Sequence, residues 1–267
     1  MASPTLRLLG TGNAFLPQGR LHSLLLVDDC FLIDCPPTVL ASLRQYNISP
    51  ATIDTILFTH WHGDHCFGFP FFLLERKYIS DREGEKTLNI HLPNGGIERL
   101  KNLCELAYPD SLEDQLEKVI FQYEMSGTIQ GQNGWSFERF EVLHDACVDP
   151  HGYLLEHESG FRLMHTGDSG PCEAISDRAP TCDVVVIELG VPDYVDTPHH
   201  FSPSKLSTLA QDCPEVTFLV THTWLDDPEC MRPAILSSDL PELPSNCIQA
   251  RDGQSWVWKN SRLTNWK

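Results

Sequence analysis

The stretch Thr59-His60-Trp61-His62-Gly63-Asp64-His65 sets three imidazoles and a carboxylate within six residues, directly after an apolar run. Imidazole and carboxylate are ligand types for zinc, manganese and iron. On a turn at a strand end, four such side chains can splay toward one point or toward two adjacent ones. A merely polar surface turn would have no need of that order.

The surrounding pattern supplies elements to hold such a turn. A strand over 6–9 leads into Gly10-Thr11-Gly12-Asn13, and segments 23–27 and 30–34 flank Asp28-Asp29 as a hairpin. Residues 37–46 read as a helix with proline at an early position. The run 52–59 is almost continuously apolar, as in a strand covered on both faces, and leads straight into His60. Beyond it come an aromatic helix over 67–78, a strand over 87–92, a helix over 96–107 and a strand over 119–124. A period-2 stretch within 135–143 ends on His144, and strands 153–157 and 161–165 flank Glu158-Ser159-Gly160, a second hairpin signal. A buried strand over 184–188, a helix over 202–212 and a strand over 216–220 follow, the last ending near His222. From Pro228 onward the pattern is irregular apart from 255–258. Hairpins first and βαβ-like alternation later predict two mixed sheets with helices outside. Without a linker, a repeat or a low-complexity block, residues 1–267 read as a single domain.

Composition narrows the chemistry. With 41% hydrophobic and 21% charged residues the chain is an ordinary globular one. No apolar run approaches the ~18–20 residues that cross a bilayer, so no membrane is expected as a partner. Met1-Ala2-Ser3-Pro4-Thr5 has neither a basic nor an apolar leader region, so no signal peptide is expected. The balance of 37 Asp+Glu against 19 Lys+Arg gives a net charge of −18, with no Lys/Arg-rich run. Nucleic-acid binding draws its phosphate contacts from Lys and Arg, so the charge favours a small substrate. The ten cysteines form no Cys-x-x-Cys pair and read as reduced thiols of a cytoplasmic protein.

The order His60-x-His62-x-Asp64-His65 after a buried strand resembles the signature of the metallo-β-lactamase-fold hydrolases. The resemblance implies an α/β fold, a four-layer αβ/βα sandwich of two mixed β-sheets flanked by helices, with a two-metal site at the edge of the inner sheets. It sends His60 and His62 to the first metal, Asp64 and His65 to the second. His144, Asp168 and His222 match the family's later motifs in order and in strand-end placement. By that match Asp168 bridges both metals, His144 completes the first set and His222 the second. The implied cofactors are two divalent ions, zinc foremost, with manganese or iron as alternatives. Such a pair, ~3.5–4 Å apart, acidifies a shared water, and a bridging hydroxide suits phosphodiester hydrolysis. His65 directly after Asp64 departs from the β-lactamase branch itself, which lacks a histidine ligand there.

More of the chain resembles the ribonuclease Z-like branch. The opening Leu8-Leu9-Gly10-Thr11-Gly12-Asn13, Arg20, Leu32-Ile33-Asp34-Cys35, His65-Cys66-Phe67-Gly68-Phe69-Pro70, Gly152-Tyr153, the strand ending in Glu188 and His200-Phe201-Ser202 all carry the likeness, across roughly 5–224. It implies a proton relay to the leaving oxygen by Glu188 and His200, with His199 the rival of His200. Asp64, Glu188 and His200 thus form the candidate catalytic set. It also implies a homodimer paired through 67–74. The departures are Ile187 where the branch has histidine, Pro36-Pro37 in place of a Gly-rich acidic turn, and no long basic Gly/Pro-rich arm. With the acidic charge they favour a small phosphodiester such as a cyclic nucleotide, the alternative being tRNA 3′-end cleavage. Trp61 and Trp224 are candidates for stacking a base, Phe67 and Phe69 read as core, and Arg20 is a candidate phosphate contact.

Overall fold

Two facing β-sheets organise the chain, and the computed structural model describes residues 3–82, 84, 86–129, 134–235 and 241–266. The first sheet collects β1 (Thr5–Gly10), β2 (Leu24–Val27), β3 (Phe31–Ile33), β4 (Thr55–Leu57), β5 (Leu88–His91) and β6 (Val119–Gln122). The second collects β7 (Ser126–Thr128), β8 (Trp135–Glu141), β9 (His151–His157), β10 (Arg162–His165), β11 (Val184–Glu188), β12 (Thr217–Thr221) and β13 (Cys247–Gln249). The last strands, β14 (Ser255–Lys259) and β15 (Arg262–Trp266), return to the first sheet. Strand orders are β15-β14-β1-β2-β3-β4-β5-β6 and β13-β12-β11-β10-β9-β8-β7. The helices are α1 (Val39–Gln45), α2 (Gly63–Cys66), α3 (Phe69–Glu75), α4 (Gly96–Ala107), α5 (Glu113–Leu116), α6 (Glu173–Arg178) and α7 (Pro203–Asp212).

Neighbouring residues of a strand face opposite sides, and here both sides are buried. Leu8, Leu25, Phe31 and Leu57 meet Phe137, Tyr153, Leu163, Val184 and Leu219 between the sheets. Their neighbours Leu9, Leu24 and Ile56 turn outward onto Val39 of α1, Phe69 and Phe72 of α3 and Leu100 of α4. Likewise Met164, Val185 and Phe218 turn onto Ile175 of α6 and Leu206 and Ala210 of α7. Helices, sheet, sheet and helices make the four layers expected. The hairpin connects Val27 to Phe31 through residues 28–30, and Asp28 and Asp29 both take positive φ, 48° and 55°, in keeping with the twist of the strands they join.

Two expectations need correcting. The region after Pro228 is more regular than its pattern suggests: β14 pairs antiparallel with β1, Thr5 opposite Val257, and β15 extends the edge. Within that region residues 236–240 lie outside the described residues. The aromatic helix ends as α3 at Glu75 and continues through one wider turn, Arg76–Ser80.

Strand direction places the site. β3 and β4 are parallel, as are β10, β11 and β12. β8 is antiparallel to β9, which is antiparallel to β10, so β8 runs with β10. Loops leaving the carboxyl ends of these strands therefore gather at one edge, where α/β sheets usually hold ligands.

Candidate metal centre

Each residue singled out at a strand end lies on that edge. His60 and His62 follow β4, while Asp64 and His65 sit in the short helix α2. His144 follows β8, Asp168 follows β10, and His222 follows β12 with φ at 47°. A histidine held in the left-handed region stores strain of ~1–3 kcal/mol, which surrounding contacts must fix. Here it turns the ring inward, leaving His222 buried.

The seven side chains form two sets that share one member. His60, His62, His144 and Asp168 offer ligand atoms within 4.8 Å of one another, and so do Asp64, His65, Asp168 and His222. His60 Nε2 and His144 Nε2 each lie 3.1 Å from His62 Nδ1, and His65 Nε2 lies 3.3 Å from His222 Nε2. Two nitrogens each about 2.05 Å from one tetrahedral cation would stand ~3.3 Å apart, so the donor set fits a pair of divalent cations.

Groups behind the rings fix which nitrogen points inward. His65 Nδ1 donates to Asp34 Oδ2 at 2.8 Å, and His144 Nδ1 donates to the His199 carbonyl at 3.0 Å. His60 Nδ1 donates to Thr59 Oγ1 at 3.0 Å, and that hydroxyl in turn donates to Asp34 Oδ2 at 2.9 Å. Asp34 also accepts the Thr59 N–H at 2.8 Å. One buried carboxylate thus orients an imidazole in each set. Such partners behind the ligands fix ring and tautomer and raise ligand basicity. In the sequence Asp34 stands out only as part of the motif Leu32-Ile33-Asp34-Cys35. The signal available was a carboxylate at the end of an apolar strand parallel to the one that leads to His60.

Charge is balanced inside the cluster. Burial pushes the Asp168 and Asp64 carboxyls up, but the imidazoles of His222 and His65 hold both well below the carboxylate range. Burial lowers His222, and the Asp168 charge overrides it and takes the ring to about 10. His60 and His144 are pushed down, chiefly by burial.

Beside the cluster, His200 Nδ1 donates to Glu188 Oε2 at 2.8 Å. Glu188 closes β11, is buried, and also accepts the Ser169 N–H at 2.6 Å. Burial lowers the His200 pKa, but the hydrogen bond and charge of Glu188 raise it above its ordinary value. Gly190 packs so closely here that a Cβ would overlap Glu188 Oε2 and press on His200 Nδ1. His199 presents its carbonyl to His144, while Glu188 pairs with His200.

The residues suggested for substrate contact are placed otherwise. Trp61 is buried and stacks on Phe58 at 5.4 Å between ring centres, and Trp224 is buried against the α7 side. Phe69 is core as expected, whereas Phe67 is 51% exposed. Arg20 is buried and donates to the carbonyls of Leu225 and Ala250, so it ties loops together.

Residues 4–227 match the family described as Anti-Pycsar protein Apyc1. A protein of Enterobacter sp. (strain 638) named ribonuclease BN is 25% identical over 268 residues, covering 80% of this chain and 87% of that protein. The metallo-β-lactamase-fold protein YhfI of Bacillus subtilis superposes with a TM-score of 0.67 at 17% identity, covering 83% of this chain and 87% of its own. A diphosphatase from the PhnP family gives a TM-score of 0.67 at 18% identity, covering 94% and 96%. With its strand order, its paired His/Asp sets and a family match spanning most of its length, the chain belongs to the Anti-Pycsar protein Apyc1 family and is a metal-dependent hydrolase of the metallo-β-lactamase fold.

Proposed function

We propose that the chain, acting as one domain, hydrolyses a small phosphodiester, foremost a cyclic nucleotide, at a centre of two divalent cations, zinc first among them. The observation that carries this reading is the pair of four-residue sets sharing Asp168, with the Glu188–His200 pair beside them. His60, His62, His144 and Asp168 would hold one cation, and Asp64, His65, His222 and Asp168 the other. When bound, the pair would acidify a water and offset charge on the attacked phosphoryl oxygen.

The chain's own residues do the rest. Asp34, Thr59 and the His199 carbonyl hold three ligand rings in the tautomer that presents a lone pair inward. Asp64 lies 3.2 Å from His222 Nε2, at the reacting centre. Glu188 keeps His200 protonated, and His200 Nε2 then carries the proton for the departing oxygen. A general acid of this kind matters most when the leaving group is a poor one, such as a ribose alkoxide.

Cleavage of RNA is the second reading, favoured by the relative named ribonuclease BN. The net charge of −18 weighs against it, because an RNA surface needs cationic contacts. A homodimer is part of the proposal. Phe67, Phe71 and Leu106 are exposed beside a cavity of about 330 Å³ that Trp61, Leu103 and Leu106 help to line on the α3–α4 side. Among the described residues no disulfide joins the cysteines, in keeping with a reducing, cytoplasmic setting.

The test is metal analysis of the purified protein joined to a panel of 2′,3′- and 3′,5′-cyclic nucleotides, bis(p-nitrophenyl) phosphate and precursor tRNA. The expected result is close to two equivalents of metal and turnover of a cyclic nucleotide that chelation abolishes. Activity indifferent to chelation refutes the metal centre, and faster cleavage of tRNA than of any cyclic nucleotide gives the site to RNA. Sedimentation at micromolar concentration should report two chains; the mass of one refutes the dimer.

A further inference from the structure

Two exposed aromatic side chains stand on loops beside the Glu188–His200 pair, and the chemistry above gives neither a role. Phe15 is 80% exposed and Tyr194 is 88% exposed. Phe15 rides on the loop between β1 and β2. The start of that loop is fixed to the segment carrying His222: Asn13 N–H donates to the Thr223 carbonyl, and Thr223 N–H donates to the Thr11 carbonyl, both at 3.0 Å. Asn13 Nδ2 reaches the Gly190 carbonyl at 3.5 Å, so this loop adjoins the glycine that packs on Glu188 and His200. Asn13 Oδ1 then accepts the Phe15 N–H at 3.1 Å, and Leu16 follows at φ 53°. A leucine in that region is strained, so the tip that displays Phe15 is held in shape by its anchors. Tyr194 stands on the loop leaving Gly190. There Val195 N–H donates to the Pro192 carbonyl, and Asp193 Oδ1 accepts the Ser204 N–H, both at 3.0 Å.

The position of the proton donor gives these loops a meaning. When a cyclic nucleotide opens, the leaving oxygen remains on the ribose. The ribose and its base must therefore lie on the His200 side of the reacting phosphorus. That is the side of Gly190, Asn13 and the two loops.

We propose that Phe15 and Tyr194 hold the nucleobase of the substrate between them, making this rim the nucleoside-binding part of the site. The inference rests on the phosphodiesterase reading above and adds to it that recognition is through the π-face of the base, tolerant of base identity. Stacking on an aromatic side chain is typically strong enough that its removal costs about 5- to 150-fold in affinity per base.

The experiment compares kcat/KM for a nucleoside 3′,5′-cyclic monophosphate with that for 1-O-methylribose 3,5-cyclic phosphate, which has the same ring diester and no base. Phe15→Ala and Tyr194→Ala should each lower the ratio of the two by about 5- to 150-fold, mainly through KM, and Phe15→Trp and Tyr194→Phe should restore it. Both residues are exposed, so truncation leaves the core intact. A ratio equal to that of the wild type overturns the proposal, and so does an equal loss on both substrates, which would show the loops acting on the Glu188–His200 pair. Should the wild type open no cyclic nucleotide, the reaction reading fails separately. Calorimetric titration with a nucleoside 5′-monophosphate then decides: weaker binding by the two alanine variants supports the clamp, and equal binding overturns it.

Discussion

Replacing Asp34 with asparagine keeps the shape of a buried side chain and changes only its hydrogen-bonding sense. The carboxylate now accepts from the Thr59 N–H, the Thr59 hydroxyl and His65 Nδ1, and it donates nothing. An asparagine that keeps the Thr59 N–H must place its NH₂ where Oδ2 stood, facing two groups that are themselves donating. To be satisfied, His65 must move its proton to Nε2, the inward nitrogen. Thr59 must turn its hydroxyl toward His60, which sends the His60 proton inward too. The opposite amide orientation sets NH₂ against the Thr59 N–H and is no better. One atom exchanged thus removes a lone pair from each ligand set. Loss of a partner behind a metal ligand typically costs about 10–100-fold in affinity, or about 1.4–2.7 kcal/mol per cation. The assay is zinc competition against a chelating dye, read for both equivalents. Asp34→Asn should weaken both, while Thr59→Val, which cuts only the relay to His60, should weaken one. Wild-type affinity at both sites in Asp34→Asn would falsify the orienting role.

Three further outcomes follow from the geometry. His200→Ala should cost about 10²–10⁴-fold on a cyclic nucleotide and far less on bis(p-nitrophenyl) phosphate, whose leaving group needs no proton; steady-state rates with equal losses would reassign His200 to positioning. Gly190→Ala should lower kcat on the cyclic nucleotide by about 10²-fold, since its Cβ displaces Glu188 and His200, and a wild-type kcat would contradict that packing. His91 is buried with neither ring nitrogen hydrogen-bonded, and burial takes it from 6.5 to about 4. Between those values the unfolded chain binds the proton that the native one refuses, so stability falls as pH drops below 6.5. Going from pH 7 to pH 5 should cost the wild type about 2 kcal/mol through this residue, seen as a larger loss in urea unfolding than His91→Leu shows; parallel losses refute it.

The residues of the candidate metal centre were legible because their signal is local. His60 to His65 fall within one turn, and the remaining ligands sit where an apolar strand stops, a place the pattern of hydrophobicity marks. The groups that orient them were not legible as such, because Asp34, Thr59 and the His199 carbonyl act through hydrogen bonds whose partners are chosen by tertiary packing. One of them is a backbone atom, without any residue type to read. The stacking candidates failed for a related reason. Trp61 and Trp224 lie beside the ligands in sequence, but nearness along the chain does not decide which way a ring faces, and both are buried. The strands β13 and β15 were not legible because they are short edge strands without a buried residue, which leaves no alternation to detect.

The two ligand sets take members from both sheets: His60, His62, Asp64 and His65 arrive from the β4 side, and His144, Asp168 and His222 from β8, β10 and β12. Loading the centre is therefore also a clasp across the sandwich. Sliding one sheet against the other would pull every coordination set apart at once. By mass action, each cation present at a hundredfold its dissociation constant adds about 2.7 kcal/mol to the folded state. Heat resistance of this protein should then report how well its cell supplies metal, and starvation for the ion would remove the catalyst and its scaffold together.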